Sequence, residues 1–159
     1  MTNATYTTPS TARPIIPALA PVTNALAPLG EPLVRVAAGL LLIPHAAQKL
    51  FGLFGGYGLE ATGQFFATKL GLPASFALIA GVIELVGGVF LAIGFLTRPV
   101  AALITAVMAV AVFSVHLPAG LFWTDGGYEY PLLWGIVAFS FVLRGAGRYS
   151  VDAAIAREF

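Results

Sequence analysis

The chain has 159 residues, of which 58% are hydrophobic and only 9% are charged, and its formal net charge is +1. Soluble domains carry about 25% charged residues, so this composition excludes an ordinary water-facing surface and indicates an integral membrane protein. The near-neutral charge gives no argument for a nucleic-acid partner. Because the chain has no cysteine, disulfides, iron–sulfur clusters and thiolate catalysis are excluded.

Residues 1–32 differ in composition from the rest of the chain. They are rich in Thr, Ala and Pro, and their only charges are Arg13 and Glu31. Prolines interrupt their apolar part, so the segment lacks the unbroken apolar core of a signal peptide. We expect a flexible or polyproline-like N-terminal tail, with docking on a partner as an alternative. The membrane domain is then residues 33–159.

Four stretches have the apolar character of membrane spans, which need about 20 mostly apolar residues. They are residues 33–54, 73–96, 100–117 and 128–145, and the last is the shortest apolar run. The predicted fold class is therefore all-α, an integral membrane four-helix bundle. The amphipathic pattern of residues 55–72 predicts a further short helix that lies in the membrane interface.

The distribution of basic residues predicts the orientation of this bundle. Lys49 and Lys69 fall on or toward one side, and the arginines fall on the other. The six arginines are Arg13, Arg35, Arg98, Arg144, Arg148 and Arg157. Since cytoplasmic loops carry an excess of basic residues, both termini are expected in the cytoplasm.

Glu84 is the only charge in the second predicted span and lies near its middle. On a helix its face also carries Gly81, Gly87 and Gly88. A carboxylate in hydrocarbon is costly and usually faces the bundle interior or a watery cavity. Small residues let another helix approach closely. We therefore expect Glu84 to meet polar partners from other helices.

Depth along the helices suggests those partners. A rise of about 1.5 Å per residue places His45 and Glu84 near the same depth in a core about 30 Å thick. Lys49 follows His45 by one turn on the same face, and Gln48 borders that face. His116 falls in the outer half of the third span. These five residues are the expected ligand-binding or proton-handling group.

The chemistry of this group is left open by the residues alone. Glu84 with Lys49 or His45 could form a structural ion pair or hydrogen bond. Alternatively, the group handles protons or binds a ligand such as a quinone, whose carbonyls need one or two donors. Haem ligation by His45 and His116 is disfavoured by their different depths. No spacing of the HExxH kind indicates a metal site.

Three features near the span ends complete the expectations. Arg35 is expected to be a topology anchor whose long side chain snorkels to the interface. Pro44 is expected to kink the first span. Ser150 or Asp152 is expected to cap a short cytoplasmic surface helix from Ala153 to Phe159.

Several motifs together resemble the DoxX family. In order they are Arg35-x3-Gly39, the run from Pro44 to Gly52, the run from Gly81 to Gly88 with Gly94 and Thr97-Arg98 after it, and the run from Gly147 to Asp152. The second is similar to the family's His-Gly-x-x-Lys block, with Ala46 in place of the usual Gly. The last is similar to its closing Gly-x-Gly-x-x-Ser-x-Asp end. The likeness covers about residues 33–155.

The resemblance implies a small four-helix, multi-pass protein of the bacterial inner (plasma) membrane. The family's name comes from a subunit of a terminal quinol oxidase, also linked to thiosulfate:quinone oxidoreduction. It therefore implies an accessory subunit beside a respiratory or other redox complex, with quinone as cofactor and other membrane subunits as partners. The matching positions are Arg35, His45, Lys49 and Glu84, with His116 as a softer match.

Two other functions stay open. The chain could be a non-catalytic structural subunit that fills a seam in a larger membrane assembly. It could also be a small proton-coupled carrier, although no inverted repeat or broken helix pair is clear in the sequence.

Overall fold

The computed structural model describes Arg13 and residues 15–157, and these residues form helices and loops with no strand. The chain divides into two units, Met1–Gly30 and Glu31–Phe159. The all-helical part of the predicted fold class is therefore confirmed for the described residues.

Short helical segments make up the described part of the first unit. They are Pro17–Leu19, α1 (Ala20–Leu26) and Ala27–Leu29. Each has a proline in its first turn, where the missing N–H leaves no intrahelical hydrogen bond unmade. The expected polyproline-like conformation is thus wrong for residues 17–29. For residues 1–12 and 14 that expectation lies outside the described residues.

Six further helices follow along the chain. They are α2 (Gly30–Phe51), α3 (Gly58–Phe65), α4 (Ser75–Ile93), α5 (Thr97–Val110), α6 (Glu129–Arg144) and α7 (Val151–Ala154). A π-helical turn extends α3 through Phe66–Leu70, and another extends α5 through Ala111–His116. The helix predicted within residues 55–72 is therefore present as α3, and α2 runs through Pro44 as one helix.

Three helical stretches of the described chain are long and apolar enough to cross a membrane. They are Pro17–Phe51, Ser75–Ile93 and Thr97–Ala119. They correspond to the first three predicted spans. The fourth predicted span contains α6, which has only 16 residues.

One hydrophobic core joins α2, α4, α5 and α6. Its buried residues are Ala38, Leu42, Leu91, Val100, Ala101, Ile104, Met108, Ala138 and Phe141. Gly39 and Gly88 bring α2 and α4 together, because a Cβ on Gly39 would lie 2.4 Å from the Gly88 carbonyl oxygen. Such glycine contacts allow helix backbones to touch, which is the close approach that the sequence predicted for the face of Glu84.

Neighbouring helices of this core run antiparallel, so the bundle has two ends. We call the "Lys49 end" the one where α2 ends and α4 and α6 begin, and the "Arg35 end" the one where α4 and α6 end and α5 begins. Cross-helix contacts match these directions. The Trp134 indole N–H donates to the Ala38 carbonyl at 3.3 Å, and an Arg144 guanidinium nitrogen lies 3.5 Å from a Glu31 carboxylate oxygen.

The C-terminal helix is shorter and starts earlier than predicted. Ser150 Oγ accepts a hydrogen bond from the Ala153 N–H at 3.1 Å, so Ser150 caps α7. α7 ends at Ala154, and the predicted continuation toward residue 157 is wrong. Residues 158 and 159 lie outside the described residues.

Candidate functional site

Lys49 of α2 and Glu84 of α4 form an ion pair inside the bundle. Lys49 Nζ donates to Glu84 Oε1 at 3.0 Å and to Oε2 at 2.8 Å. The Glu84 side chain is only 4% exposed, whereas the Lys49 side chain is 29% exposed. The contact that the sequence predicted between Glu84 and the first helix is therefore present. The pair keeps the buried carboxylate from being an uncompensated charge.

Glycines on α4 explain why these two side chains can meet. Gly81 lies one turn before Glu84, and a Cβ there would come within 2.5 Å of the Leu50 side chain. Gly88 lies one turn after Glu84 and packs on Gly39. Because glycines lie one turn before and one turn after the carboxylate, α2 approaches closely enough for the lysine amine to reach it.

The pair retains hydrogen-bonding capacity for a further group. An ammonium has three N–H donors, and among the described residues both hydrogen bonds of Lys49 go to the oxygens of one carboxylate. Because Lys49 is partly exposed, a third N–H is available to an acceptor that reaches the site. The fixed ammonium is thus a pre-oriented, charged hydrogen-bond donor.

The structure selects Lys49 over His45 as the partner of Glu84. His45 lies one turn before Lys49 on α2 and is exposed. Gln48 does not face the pair either. Its Nε2 donates a hydrogen bond to the Phe54 carbonyl at 3.1 Å, and this bond links α2 to the loop that follows it.

His116 belongs to a different local structure. It ends the π-helical turn after α5, and its Nδ1–H donates to the Gly126 carbonyl at 2.6 Å. The same loop is held to α6, because the Trp123 N–H donates to Glu129 Oε2 at 3.2 Å. Trp123 also stacks on Tyr130 with ring centroids 5.5 Å apart. The contacts of His116 therefore order the loop before α6.

Arg35 does not snorkel, contrary to the sequence-based expectation. It is only 2% exposed, and its guanidinium donates to the carbonyls of Leu91 at 3.3 Å and Tyr149 at 2.5 Å. Room for it exists because residue 94 is glycine, where a Cβ would lie 1.6 Å from Arg35 Nη1. The nearby carboxylates of Glu31 and Asp152 offset part of the cost of burying the charge.

Asp152 is a structural residue whose role the sequence did not reveal. Its carboxylate accepts from the Leu96 N–H at 2.9 Å and the Thr97 N–H at 3.0 Å, so it caps the start of α5. A carboxylate is favoured there because helix N-termini carry partial positive charge. The sequence predicts Ser150 or Asp152 as the cap of the C-terminal helix, and in the structure Ser150 has that role. The signal that could have indicated the role of Asp152 is Arg35, because a buried positive charge needs a carboxylate nearby.

The described residues contain no group of three or more His, Cys, Asp or Glu side chains that could hold a metal ion. A groove of about 240 Å³ lies between α5 and α6, and its lining is almost entirely apolar. Met108, Phe113, Gly135 and Phe139 are among its lining residues, and none of the five predicted site residues is. We therefore place the candidate site by its chemistry, at Lys49 and Glu84.

Together, the apolar helices and the ion pair between two of them define a helical membrane protein. Residues 31–117 match the DoxX family model, and the chain belongs to the DoxX family. The match runs from the start of α2 to the end of the π-helical extension of α5, and it includes Arg35, Lys49 and Glu84.

Similar curated proteins come from bacteria. "Putative oxidoreductase CatD" of Bacillus subtilis (strain 168) is 34% identical over 105 residues, which cover 66% of this chain and 72% of that protein. Two proteins of Haemophilus influenzae, each named "Uncharacterized protein", are 39% and 33% identical over 79 and 76 residues. Those alignments cover 58% and 50% of the two proteins. No solved structure gives a significant match.

Proposed function

We propose that this DoxX protein is a subunit in the bacterial inner (plasma) membrane that works beside a respiratory or other redox complex and contacts quinone at the Lys49–Glu84 pair. One observation carries the proposal: a partly exposed ammonium is held by a buried carboxylate between two helices long enough to cross a membrane. The word oxidoreductase in the name of the Bacillus subtilis relative supports a redox role.

The residues fit a quinone by their hydrogen-bonding chemistry. A quinone carbonyl is an acceptor, and the third N–H of Lys49 is a donor that Glu84 holds in place. His45 is exposed one turn away on the same helix and offers a second donor. When bound, a quinone supplies electron and proton transfer that amino-acid side chains do not. The positive charge of Lys49 stabilises negative charge that develops on the carbonyl oxygen.

The proposal includes four spans, with α6 as the fourth. Its 16 residues rise only about 24 Å at about 1.5 Å per residue, which is short of a core about 30 Å thick. The stacked Trp123 and Tyr130 lie where α6 begins, and such aromatic pairs suit the headgroup level. Arg35, Arg98 and Arg144 belong to the Arg35 end, which favours a cytoplasmic location for that end and for both termini.

A structural role is the competing proposal, and the pair itself supplies an argument for it. Both oxygens of Glu84 already accept from Lys49, so the buried charge is compensated without any ligand. In that case the chain fills a seam among partner membrane subunits, and the ion pair only fixes how α2 and α4 pack.

Quinone content separates the two proposals. The protein is purified in mild detergent, its lipids are extracted, and quinone is measured per mole of protein. Glu84→Gln removes the charge that fixes Lys49, and we expect quinone content to fall at least about tenfold, since a charge-assisted hydrogen bond contributes about 1.5–3 kcal/mol. Glu129→Gln is the matched control, because it makes the same change at a carboxylate outside the pair. Glu129 lies in the first turn of α6 and accepts a hydrogen bond from the Trp123 N–H.

Unchanged quinone content in folded Glu84→Gln protein would contradict a quinone site at this pair. The structural role would then be favoured if the wild-type chain is isolated only as a stoichiometric component of a larger assembly and the Glu84→Gln variant assembles normally.

A further inference from the structure

We infer that the Lys49–Glu84 site opens toward the Lys49 end of the bundle and not toward the Arg35 end. The inference depends on the function proposed above only for the identity of the ligand. The chain by itself then provides no route across the membrane for protons or for a ligand. This one-sided access follows from the apolar side chains that fill the bundle between Arg35 and the Lys49–Glu84 pair.

A thick apolar layer separates the two ends. Lys49 lies 14 residues after Arg35 on α2, which is about 21 Å at the helical rise of about 1.5 Å per residue. All four core helices contribute to the layer. Its buried side chains include Leu42, Leu91, Ile104, Met108 and Phe141, each between 0% and 7% exposed. Side chains packed in this way exclude water, because close-packed protein interiors contain few voids larger than a water molecule.

Polar side chains within this layer bond to helix backbone rather than to each other. The Trp134 indole N–H donates to the Ala38 carbonyl, the Thr105 hydroxyl to Ala101, and the Ser140 hydroxyl to Val137. A proton route needs a chain of linked donors and acceptors. These bonds, each ending on a backbone carbonyl, do not form such a chain between Lys49 and Arg35 in the described structure.

The Arg35 end is closed by the C-terminal segment. Arg35 donates to the Tyr149 carbonyl, and the Asp152 N–H donates to the Gly94 carbonyl at 2.9 Å. Arg35 Nε and Thr97 Oγ1 are buried at this same end, and neither atom makes a hydrogen bond to another described residue. Leu42 and Leu91 lie along α2 and α4 between these atoms and the Lys49–Glu84 pair.

The titratable groups of the other helices also favour one-sided access. His45 is exposed beside Lys49, and His116 and Glu129 both lie at the Lys49 end, on the extension of α5 and in the first turn of α6. Lys49 itself is only two residues before the end of α2. Protons and ligands therefore reach the pair from this end, which argues against the proton-coupled carrier considered from the sequence.

Lysine labelling tests this sidedness directly, because the chain contains only two lysines, Lys49 and Lys69. Lys69 is exposed on the helical turn that extends α3 and serves as an internal marker of the Lys49 end. A membrane-impermeant amine-reactive reagent is applied to right-side-out and to inside-out vesicles. Peptide mapping then gives the extent of modification at each lysine.

We expect Lys49 to be modified at least tenfold more in the vesicles in which Lys69 reacts than in the opposite ones. In Glu84→Gln the amine loses its carboxylate, so its modification should rise from that same side. Two results would overturn the inference: modification of Lys49 from the side where Lys69 is unreactive, or no modification from either side even in Glu84→Gln. Neither depends on quinone, so a failed quinone assay leaves this test intact.

Discussion

Arg35 and Lys49, two basic side chains of α2, differ in what holds them and in what can reach them. Arg35 is 2% exposed, donates to two backbone carbonyls and lies near two carboxylates. Lys49 is 29% exposed and is held by a single carboxylate. Both sites rely on glycines of α4 or its end, Gly94 for Arg35 and Gly81 for Lys49.

This difference separates a structural site from a site that is open to a ligand. Around Arg35, carbonyls and carboxylates from α2, the end of α4 and the C-terminal segment converge, so any change disturbs several elements at once. Within the described part of the chain, Glu84 is the only residue that accepts hydrogen bonds from Lys49, and the Lys49 side chain stays partly exposed. We therefore expect changes at the Arg35 end to act on folding alone, whereas changes at Lys49 and Glu84 should also alter ligand binding.

The largest effect is expected from Gly94→Ala. Gly94 has a φ of +71° at the end of α4, and an added Cβ would overlap the Arg35 guanidinium. We expect a loss above about 4 kcal/mol, or no folded protein, measured by thermal unfolding in detergent. Gly71→Ala is the matched control, with a φ of +65° at a helix end and open space around the Cβ. It should lose only about 1–2 kcal/mol.

Equal, small losses in the two glycine variants would mean that the packing of Arg35 against Gly94 is not required, and that the two basic sites do not differ in the way described.

The next largest effect is expected from Asp152→Asn. It removes the carboxylate that caps α5 and that lies near the buried Arg35. Removing one partner from a buried charged group costs about 3–5 kcal/mol, and we expect a loss of this order in thermal unfolding. Asp125→Asn, at an exposed aspartate in the loop before α6, should stay within about 0.5 kcal/mol. A similar small loss at Asp152 would contradict its structural role.

A double-variant cycle tests whether the Lys49–Glu84 pair serves packing or binding. Lys49→Met alone leaves Glu84 buried without a partner and should destabilise the fold by about 3 kcal/mol. Lys49→Met combined with Glu84→Leu removes both charges, and stability should return to within about 1 kcal/mol of wild type, because apolar replacement of a buried pair is often neutral. Quinone content should nevertheless stay at background. A stable double variant that retains quinone would contradict the binding role.

The smallest effect is expected from His45→Ala. His45 is exposed, so thermal stability should change by no more than about 0.5 kcal/mol. If His45 is the second donor to a quinone carbonyl, quinone affinity should fall about fivefold, since a neutral hydrogen bond contributes about 1 kcal/mol. Equal quinone affinity in this variant would restrict the site to Lys49 and Glu84.

The helices and the central ion pair were predictable from the sequence for simple physical reasons. Long apolar runs specify helices in a bilayer, and a single acid among glycines indicates a partner on the facing helix. Depth counting chose His45 and Lys49 together, because it gives the position along a helix but only roughly the direction of a side chain. The structure resolves that ambiguity, with Lys49 facing Glu84 and His45 exposed.

The surroundings of Arg35 could not be predicted from local patterns. Its partners come from Leu91, Tyr149 and the nearby Asp152, which are 56, 114 and 117 residues away in the chain. Near a helix end, a long basic side chain has two options, to snorkel or to turn inward, and only tertiary packing decides between them. The helical conformation of residues 17–29 was missed because prolines were taken as breakers, although each stands in a first turn.

Photoreactive quinone crosslinking is the most direct test of the central claim that Lys49 and Glu84 form the ligand site. A quinone analogue with its photoreactive group on the ring is irradiated with the purified protein, and the modified peptides are mapped by mass spectrometry. We predict crosslinks on α2 between His45 and Phe51 and on α4 around Glu84, which are lost in the Lys49→Met and Glu84→Leu double variant. Crosslinks confined to the apolar groove between α5 and α6, around Phe113 and Phe139, and unchanged in that variant, would contradict the claim.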